Sequence, residues 1–203
     1  MKKKVVLLGD SITQGLGSKK INFTQELQEQ LGNGYLIDNM AFTGTTIHYA
    51  EKILPEVMEK HPEYVVIVYG NVDAQIRPCR TGHIFSHLPK RFQGSGMLMP
   101  RPFYSHTWYK RIGQKIENML RKICSKLIYA VDGTEQWVPL GEFQEAYQNL
   151  VKELKKCKIK PIVCSTVYID ETIFPGSLTQ YKLFNSKIED ISKVEKIPYL
   201  DLF

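Results

Sequence analysis

Five short apolar or β-branched runs, KVVLLG, YLIDN, YVVIVYG, KPIVCSTV and IPYLDLF, are separated along the chain by longer stretches of helical periodicity. Runs without polar alternation suit strands buried on both faces. Helices are predicted over 21–31, 45–60, 108–127, 140–156 and 177–193. The second carries Ile47, Leu54 and Met58 on one side and the fourth carries Phe143, Tyr147, Leu150 and Leu154, both amphipathic spacings. Pro55 predicts a kink or split in the second. Strand and helix in alternation imply right-handed crossovers and a parallel sheet with helices on both faces. At 203 residues and 43% hydrophobic, the chain suits one core, so a single domain over 1–203 is expected. Residues 75–106 depart from the pattern. They are rich in Pro, Gly, Arg and His without a period, as in an insertion that shapes a site or a flap over it.

Composition excludes several classes. The four cysteines, Cys79, Cys124, Cys157 and Cys164, show no CxxC pair and no histidine at finger-like spacing, so neither a zinc site nor a disulfide framework is indicated. The apolar run after MKKK lasts only from Val5 to Leu8, too short for a secretory leader, and no stretch elsewhere spans a bilayer. A cytoplasmic protein with reduced thiols is expected. The formal charge is +6, and between Lys90 and Lys126 nine basic residues face one acid, Glu117, with Tyr104, Trp108 and Tyr109 among them. Two readings fit: a nucleic-acid surface, or a solvated helix with a packed aromatic face. No nucleic-acid module signature accompanies the charge, so a nucleic-acid partner is not expected.

Doubly wound parallel sheets bind ligands at the carboxyl ends of their strands, near the point where strand order reverses. The loops there read GDSITQG, NMAFTGTT, GNVDAQIRP and STVYID. A serine on a tight turn at a strand mouth is exposed, and with a base to take its proton it becomes a nucleophile. The oxyanion formed when it attacks a carbonyl needs donors, each contributing roughly 3 to 4 kcal/mol to lowering the barrier. The Ser11 amide, the Gly44 amide and the Asn71 side chain are the candidates, one from each of three loops. Asn71 reads equally as a turn-capping residue. Asp10 is expected to hold its loop, and Asp73 to orient the second loop or meet substrate. Arg77 and His106 are candidates to line the site from the insertion. His83 and His87 in HIFSH have one-turn spacing but no third ligand, so no metal is expected. His48 and His61 read as structural or solvated.

GDSIT at Gly9 to Thr13, directly after the first strand, resembles the block that carries the nucleophile of the SGNH or GDSL-type hydrolases, which places that serine at Ser11. NMAFTGTT resembles the second block, NxGxxGxT, with Ala41 in place of the first glycine and Gly44 at the oxyanion glycine. GNVDA resembles the third block, GxND, with Val72 at the asparagine position and Asn71 one place earlier. The resemblance implies a flavodoxin-like three-layer α/β sandwich with a mainly parallel five-stranded sheet. It also implies a serine esterase that removes an acyl group from a carbohydrate or small amphiphilic ester through an acyl-enzyme, without cofactor. An O-acyltransferase with the same acyl-enzyme, or a catalytically silent glycan- or anion-binding member, are the alternatives. The resemblance further implies a final DxxH block after the fifth strand. Asp201 in YLDLF resembles the end of that strand, and none of the five histidines lies in a matching block. No histidine of residues 1–203 is therefore expected within reach of Ser11, the base being expected beyond residue 203 or absent, with His106 the only internal substitute. Within the insertion, Arg77, Arg80, Lys90, Arg91 and Arg101 lie among Phe85, Leu88, Met97 and Met99, which predicts a cover over the crevice that favours anionic or sugar-linked substrates.

Overall fold

The computed structural model describes residues 2–16, 18, 23–93, 98 and 104–203; Ile21, Met97, Met99 and Arg101 lie outside the described residues, as does the Arg91 side chain. Along the chain the strands are β1 (Lys3–Gly9), β2 (Tyr35–Asn39), β3 (Tyr64–Val68), β4 (Ile76–Pro78), β5 (Thr134–Gln136), β6 (Lys160–Cys164) and β7 (Tyr199–Leu200). The helices are α1 (Ser11–Gln14), α2 (Phe23–Leu31), α3 (Ile47–Glu59), α4 (Asn71–Ala74), α5 (His83–Ser86), α6 (Trp108–Val131), α7 (Leu140–Lys156) and α8 (Ser177–Glu195). They divide between two compact units, one of residues 1–75, 137–169 and 177–203, the other of residues 76–136 and 170–176.

The first unit contains the five predicted strands as one parallel sheet in the order β2-β1-β3-β6-β7. Order reverses between β1 and β3, whose register pairs Gly9 with Val68 at the carboxyl edge. A crevice for ligand is expected there. Val6, Leu8, Val65, Ile67 and Val163 are fully buried, as β-branched and leucine residues are when both faces of a sheet are covered. Helix α7 follows its sequence pattern, burying Phe143, Tyr147, Leu150 and Leu154, and Phe143 packs on Phe184 of α8 with ring centroids 4.6 Å apart. Helix α3 differs in detail. Its buried stripe is Ile47, Ala50, Ile53 and Val57, with Leu54 and Met58 on the flank, and the helix continues through Pro55, which lies exposed. On the opposite face, Phe23, Leu27 and Leu31 of α2 line a groove of about 750 Å³ together with Val66, Ile162 and Leu200 of the sheet.

In the second unit β4 pairs antiparallel with β5, and Phe85, Phe92, Leu98 and Ile128 form a small core. The stretch without sequence periodicity thus includes a strand and a short helix, α5. The carboxylate of Asp132 holds α5 by accepting from the backbone N–H groups of His83 at 3.0 Å and Ile84 at 2.8 Å. Trp108 and Tyr109 are 73% and 58% exposed, so the aromatic side chains at the start of α6 are not the packed face expected of a solvated helix.

Candidate active site at the carboxyl edge of the sheet

Strand β1 ends in Gly9 because nothing larger fits. A Cβ there would lie 2.2 Å from the Thr13 hydroxyl and 2.9 Å from the Val68 carbonyl oxygen. The chain then turns at once into α1, with Asp10 as its N-cap accepting from the Ile12 N–H at 3.0 Å. Ser11 is the first helical residue and is half-buried. Beside it the loop after β2 is held to β1 by the Phe42 N–H donating to the Gly9 carbonyl at 3.1 Å. That loop is also tied to α1, since the Thr43 N–H donates to the Gln14 side chain at 2.9 Å. Gly44 lies in this loop, exposed, at φ +77°, and a Cβ at this position would meet nothing within 4 Å. On the other side of β1, Asn71 opens α4 directly after β3.

Asn71 is 5% exposed and serves two neighbours through its side chain. Its amide nitrogen donates to Asp10 Oδ2 at 3.0 Å, and its oxygen accepts from the Val167 N–H at 2.9 Å. One of its two amide hydrogens is engaged by Asp10, which leaves the second for another acceptor. The Tyr181 hydroxyl donates to the Asn71 carbonyl at 2.5 Å, anchoring the same residue to α8. The loops after β1, β3 and β6 are therefore joined through one asparagine. Asp73, two residues on, ties in the remaining loop: its carboxylate accepts from the Ile47 N–H at 2.8 Å and the Gly70 N–H at 3.1 Å. Both carboxyl groups, Asp10 and Asp73, have no exposed surface and point at backbone or amide donors, the geometry of loop anchors. Burial pushes the Asp10 carboxyl above the usual carboxylate range and the Asp73 carboxyl up to about 7.

Two backbone donors remain. Among the described residues, the Ser11 and Gly44 amides donate to no acceptor, and the Ser11 hydroxyl has no hydrogen-bond partner. None of the five histidines bonds to that hydroxyl. His48 bridges helices instead, with Nδ1 at 2.9 Å from Glu51 and Nε2 at 2.8 Å from Glu142 of α7, and its hydrogen bond to Glu51 leads the causes that raise its pKa. His61 follows α3 at φ +48°, its N–H donating to the Met58 carbonyl at 2.9 Å. The rings of His83 and His87 lie tilted against each other with centroids 4.4 Å apart, and His87 Nδ1 lies 2.8 Å from the His83 carbonyl oxygen. Among the described residues no group of three or more histidine, cysteine or acidic side chains is gathered as a metal site. Arg77 and His106 belong to the second compact unit, where Arg77 is buried in β4 and His106 is exposed ahead of α6.

Sequence reasoning missed the support beneath Asn71. Val167 and Tyr181 lie 96 and 110 residues away from it, and no local pattern marks either as its partner. Thr166 was legible only as part of a polar loop; its N–H donates to Asn185 Oδ1 at 2.8 Å, which fixes the β6 loop from α8.

No protein-family model and no curated protein matches the sequence. Solved structures do match in shape. An acetyl xylan esterase, AlAXEase, superposes with a TM-score of 0.62 at 18% identity over 98% of this chain and 77% of its own. A lipase/acylhydrolase from Enterococcus faecalis gives 0.59 at 17% identity over 99% and 76%. A GDSL-like lipase from Bacteroides thetaiotaomicron gives 0.56 at 16% identity over 98% and 68%. The chain has the fold of the GDSL-type esterases and lipases. At these identities the likeness concerns the arrangement of the sheet and its helices, and the chemistry has to be argued from the residues.

Proposed function

We propose that the chain is a serine esterase that takes an acyl group from a carbohydrate or small amphiphilic ester onto Ser11. The observation that carries this reading is that, among the described residues, the half-buried Ser11 hydroxyl has no hydrogen-bond partner and the Ser11 and Gly44 amides donate to no acceptor, on loops that follow neighbouring strands at the switch point of the sheet. Ser11 Oγ attacks the ester carbonyl while a base accepts its proton, and the carbonyl oxygen becomes an oxyanion. The Ser11 and Gly44 amides and the remaining Asn71 amide hydrogen are the donors that receive this charge. Collapse breaks the ester C–O bond and the departing alcohol takes up the proton. Water then repeats the attack on the acyl-serine and releases the acid. Around this edge Ile12, Leu16, Phe42 and Tyr168 are exposed, an apolar rim suited to the acyl side of such an ester. The neighbours in shape bear the names of esterases and lipases, which supports the same class of bond.

A second reading is favoured by one observation, that no histidine bonds to the Ser11 hydroxyl among the described residues. On it, the crevice holds an ester or glycan without turning it over. Labelling with a fluorophosphonate separates the two. Serine-dependent labelling, abolished in Ser11→Ala, supports the esterase; absence of labelling in a folded wild type supports the silent binder. If labelling occurs, product formation that depends on an added sugar acceptor identifies acyl transfer in place of hydrolysis.

A further inference from the structure

Helix α6 is inverted. Its buried positions are Asn118, Arg121, Ser125 and Ile128, three of them polar. Ser125 donates to the Leu98 carbonyl at 3.1 Å, Asn118 to the Tyr104 hydroxyl at 2.8 Å, and Arg121 to Glu117 at 2.5 Å. The apolar side faces outward: Ile112, Ile116, Met119, Ile123, Leu127 and Val131 are 49–66% exposed, spaced three or four residues apart along the whole helix. At 3.6 residues per turn these positions, with Trp108, fall within about 140° of the helix circumference. One edge of the stripe is rimmed by Arg111, Lys115, Lys122 and Lys126, all exposed. An apolar face this long on the outside of a protein marks an interaction surface.

We propose that α6 docks on an anionic lipid surface, lying in the interface with its apolar stripe among the acyl chains and its cationic rim at the headgroups. Charge selects this occupant. Two copies meeting antiparallel about a two-fold axis would bring the cationic edge of one helix against the same edge of the other. Meeting parallel, they would oppose that edge to one whose acid, Glu117, is already paired with Arg121 at 2.5 Å. A nucleic acid would use the cations and leave the aliphatic stripe in water. An anionic bilayer satisfies both faces at once: Lys and Arg stems lie along apolar surface with their charges at the phosphates, and Trp108 with Tyr109 sits at one end as interfacial aromatics do. Among the described residues no helix is long and apolar enough to cross a membrane, so the contact is with one leaflet surface. This inference stands on the second unit alone and is independent of the chemistry at Ser11.

The test is co-sedimentation of the full chain with large vesicles of phosphatidylcholine alone, or with phosphatidylglycerol at about one lipid in three, at about 0.05 M and about 0.5 M salt. Binding to the anionic vesicles should exceed binding to the neutral ones at least tenfold and fall severalfold at the higher salt. Ile116→Asp with Ile123→Asp should abolish it, both sites being exposed and outside any core. Lys115→Ala with Lys122→Ala should weaken it roughly thirtyfold. Thermal unfolding of each variant establishes that it is folded, and the lysine pair tests the proposal separately if the aspartates perturb the helix. Equal binding to both vesicles, no binding to either, or full binding by the isoleucine variant overturns the proposal. So does a concentration-dependent dimer in sedimentation equilibrium that the isoleucine variant loses, which would make a second copy the occupant, or salt-sensitive retention on duplex DNA that the isoleucine variant keeps.

Discussion

Asp73 links the acidity of the solution to the loop that carries Gly44. Its carboxyl is fully buried and its pKa stands at about 7 against 3.8 for an unhindered aspartate, burial being the largest cause. The folded protein therefore holds a proton that the unfolded chain has already released between about pH 4 and about pH 7, and stability falls as pH rises through that window. A difference of about three pH units corresponds to about 4 kcal/mol, reached by about pH 7 and constant above it. Asp10 is shifted in the same direction, and His48, whose pKa is raised, adds a further loss as pH climbs through its folded value above 6.5. Asp73→Asn isolates the contribution. The amide oxygen can keep one of the two backbone donors, Ile47 or Gly70, and its nitrogen faces the other, a cost of about 1–3 kcal/mol that does not vary with pH. Urea unfolding of both proteins at intervals from about pH 4.5 to about pH 8.5 reads this directly. Wild-type stability should decline with pH, and the variant should be less stable at low pH with a much shallower decline. A flat wild-type profile, or parallel profiles for the two proteins, would refute the reasoning.

The other predictions concern the loops around Ser11 and the sheet behind them. Gly70 sits at φ +122° with a Cβ position 2.8 Å from Thr166 Cγ2, so Gly70→Ala should cost about 2–3 kcal/mol in urea unfolding. Gly44→Ala, at φ +77° in open space, should cost about 1–2 kcal/mol. Asn71→Ala removes one donor from the buried Asp10 carboxyl and leaves the Val167 N–H without its partner, and unfolding should show a loss of about 1–3 kcal/mol. Cys164 is buried, with burial pushing its thiol up to about 11, whereas Cys157 is exposed. Timed maleimide labelling of the native protein, read by peptide mass, should modify Cys157 well before Cys164.

The sheet was legible because its strands are short apolar runs, and β1, β3 and β6 at its middle bury most of their β-branched and leucine residues, a pattern that needs no knowledge of partners. Helix α7 was legible for a similar reason: its apolar residues recur on one face and that face is the buried one. Helix α6 has an equally clear period with the opposite meaning. Periodicity states which residues share a face, and packing decides which face turns inward. Here Asn118, Arg121 and Ser125 find hydrogen-bond partners inside the second unit, so the polar side is the one buried. The small core of that unit draws Phe85, Phe92 and Leu98 from a stretch with no period at all, and only the tertiary contacts reveal it.

The third loop shows how far local sequence reaches into the candidate site. GNVDA sets its asparagine beside a glycine, and from the sequence Asn71 reads as a donor to substrate or as a capping residue. The two roles use different atoms. The structure engages the side-chain oxygen with Val167 and one amide hydrogen with Asp10, both structural bonds, and Gly70 at φ +122° turns the chain sharply enough to aim the residue between the loops. One amide hydrogen is left over, so a buried anchor can still offer a donor at its outer edge. On the proposed chemistry, replacing Asn71 would act twice, by loosening three loops and by removing an oxyanion donor, and the two effects separate in different measurements. Asn71→Asp keeps the shape and the Val167 contact but sets a second carboxyl 3.0 Å from that of Asp10. Such a pair retains a proton to higher pH than either group alone. Fluorophosphonate labelling of that variant should therefore weaken as pH rises, while its fold, followed by circular dichroism, persists at acidic pH. Labelling as fast as wild type at every pH would show that the Asn71 amide plays no part in receiving the charge.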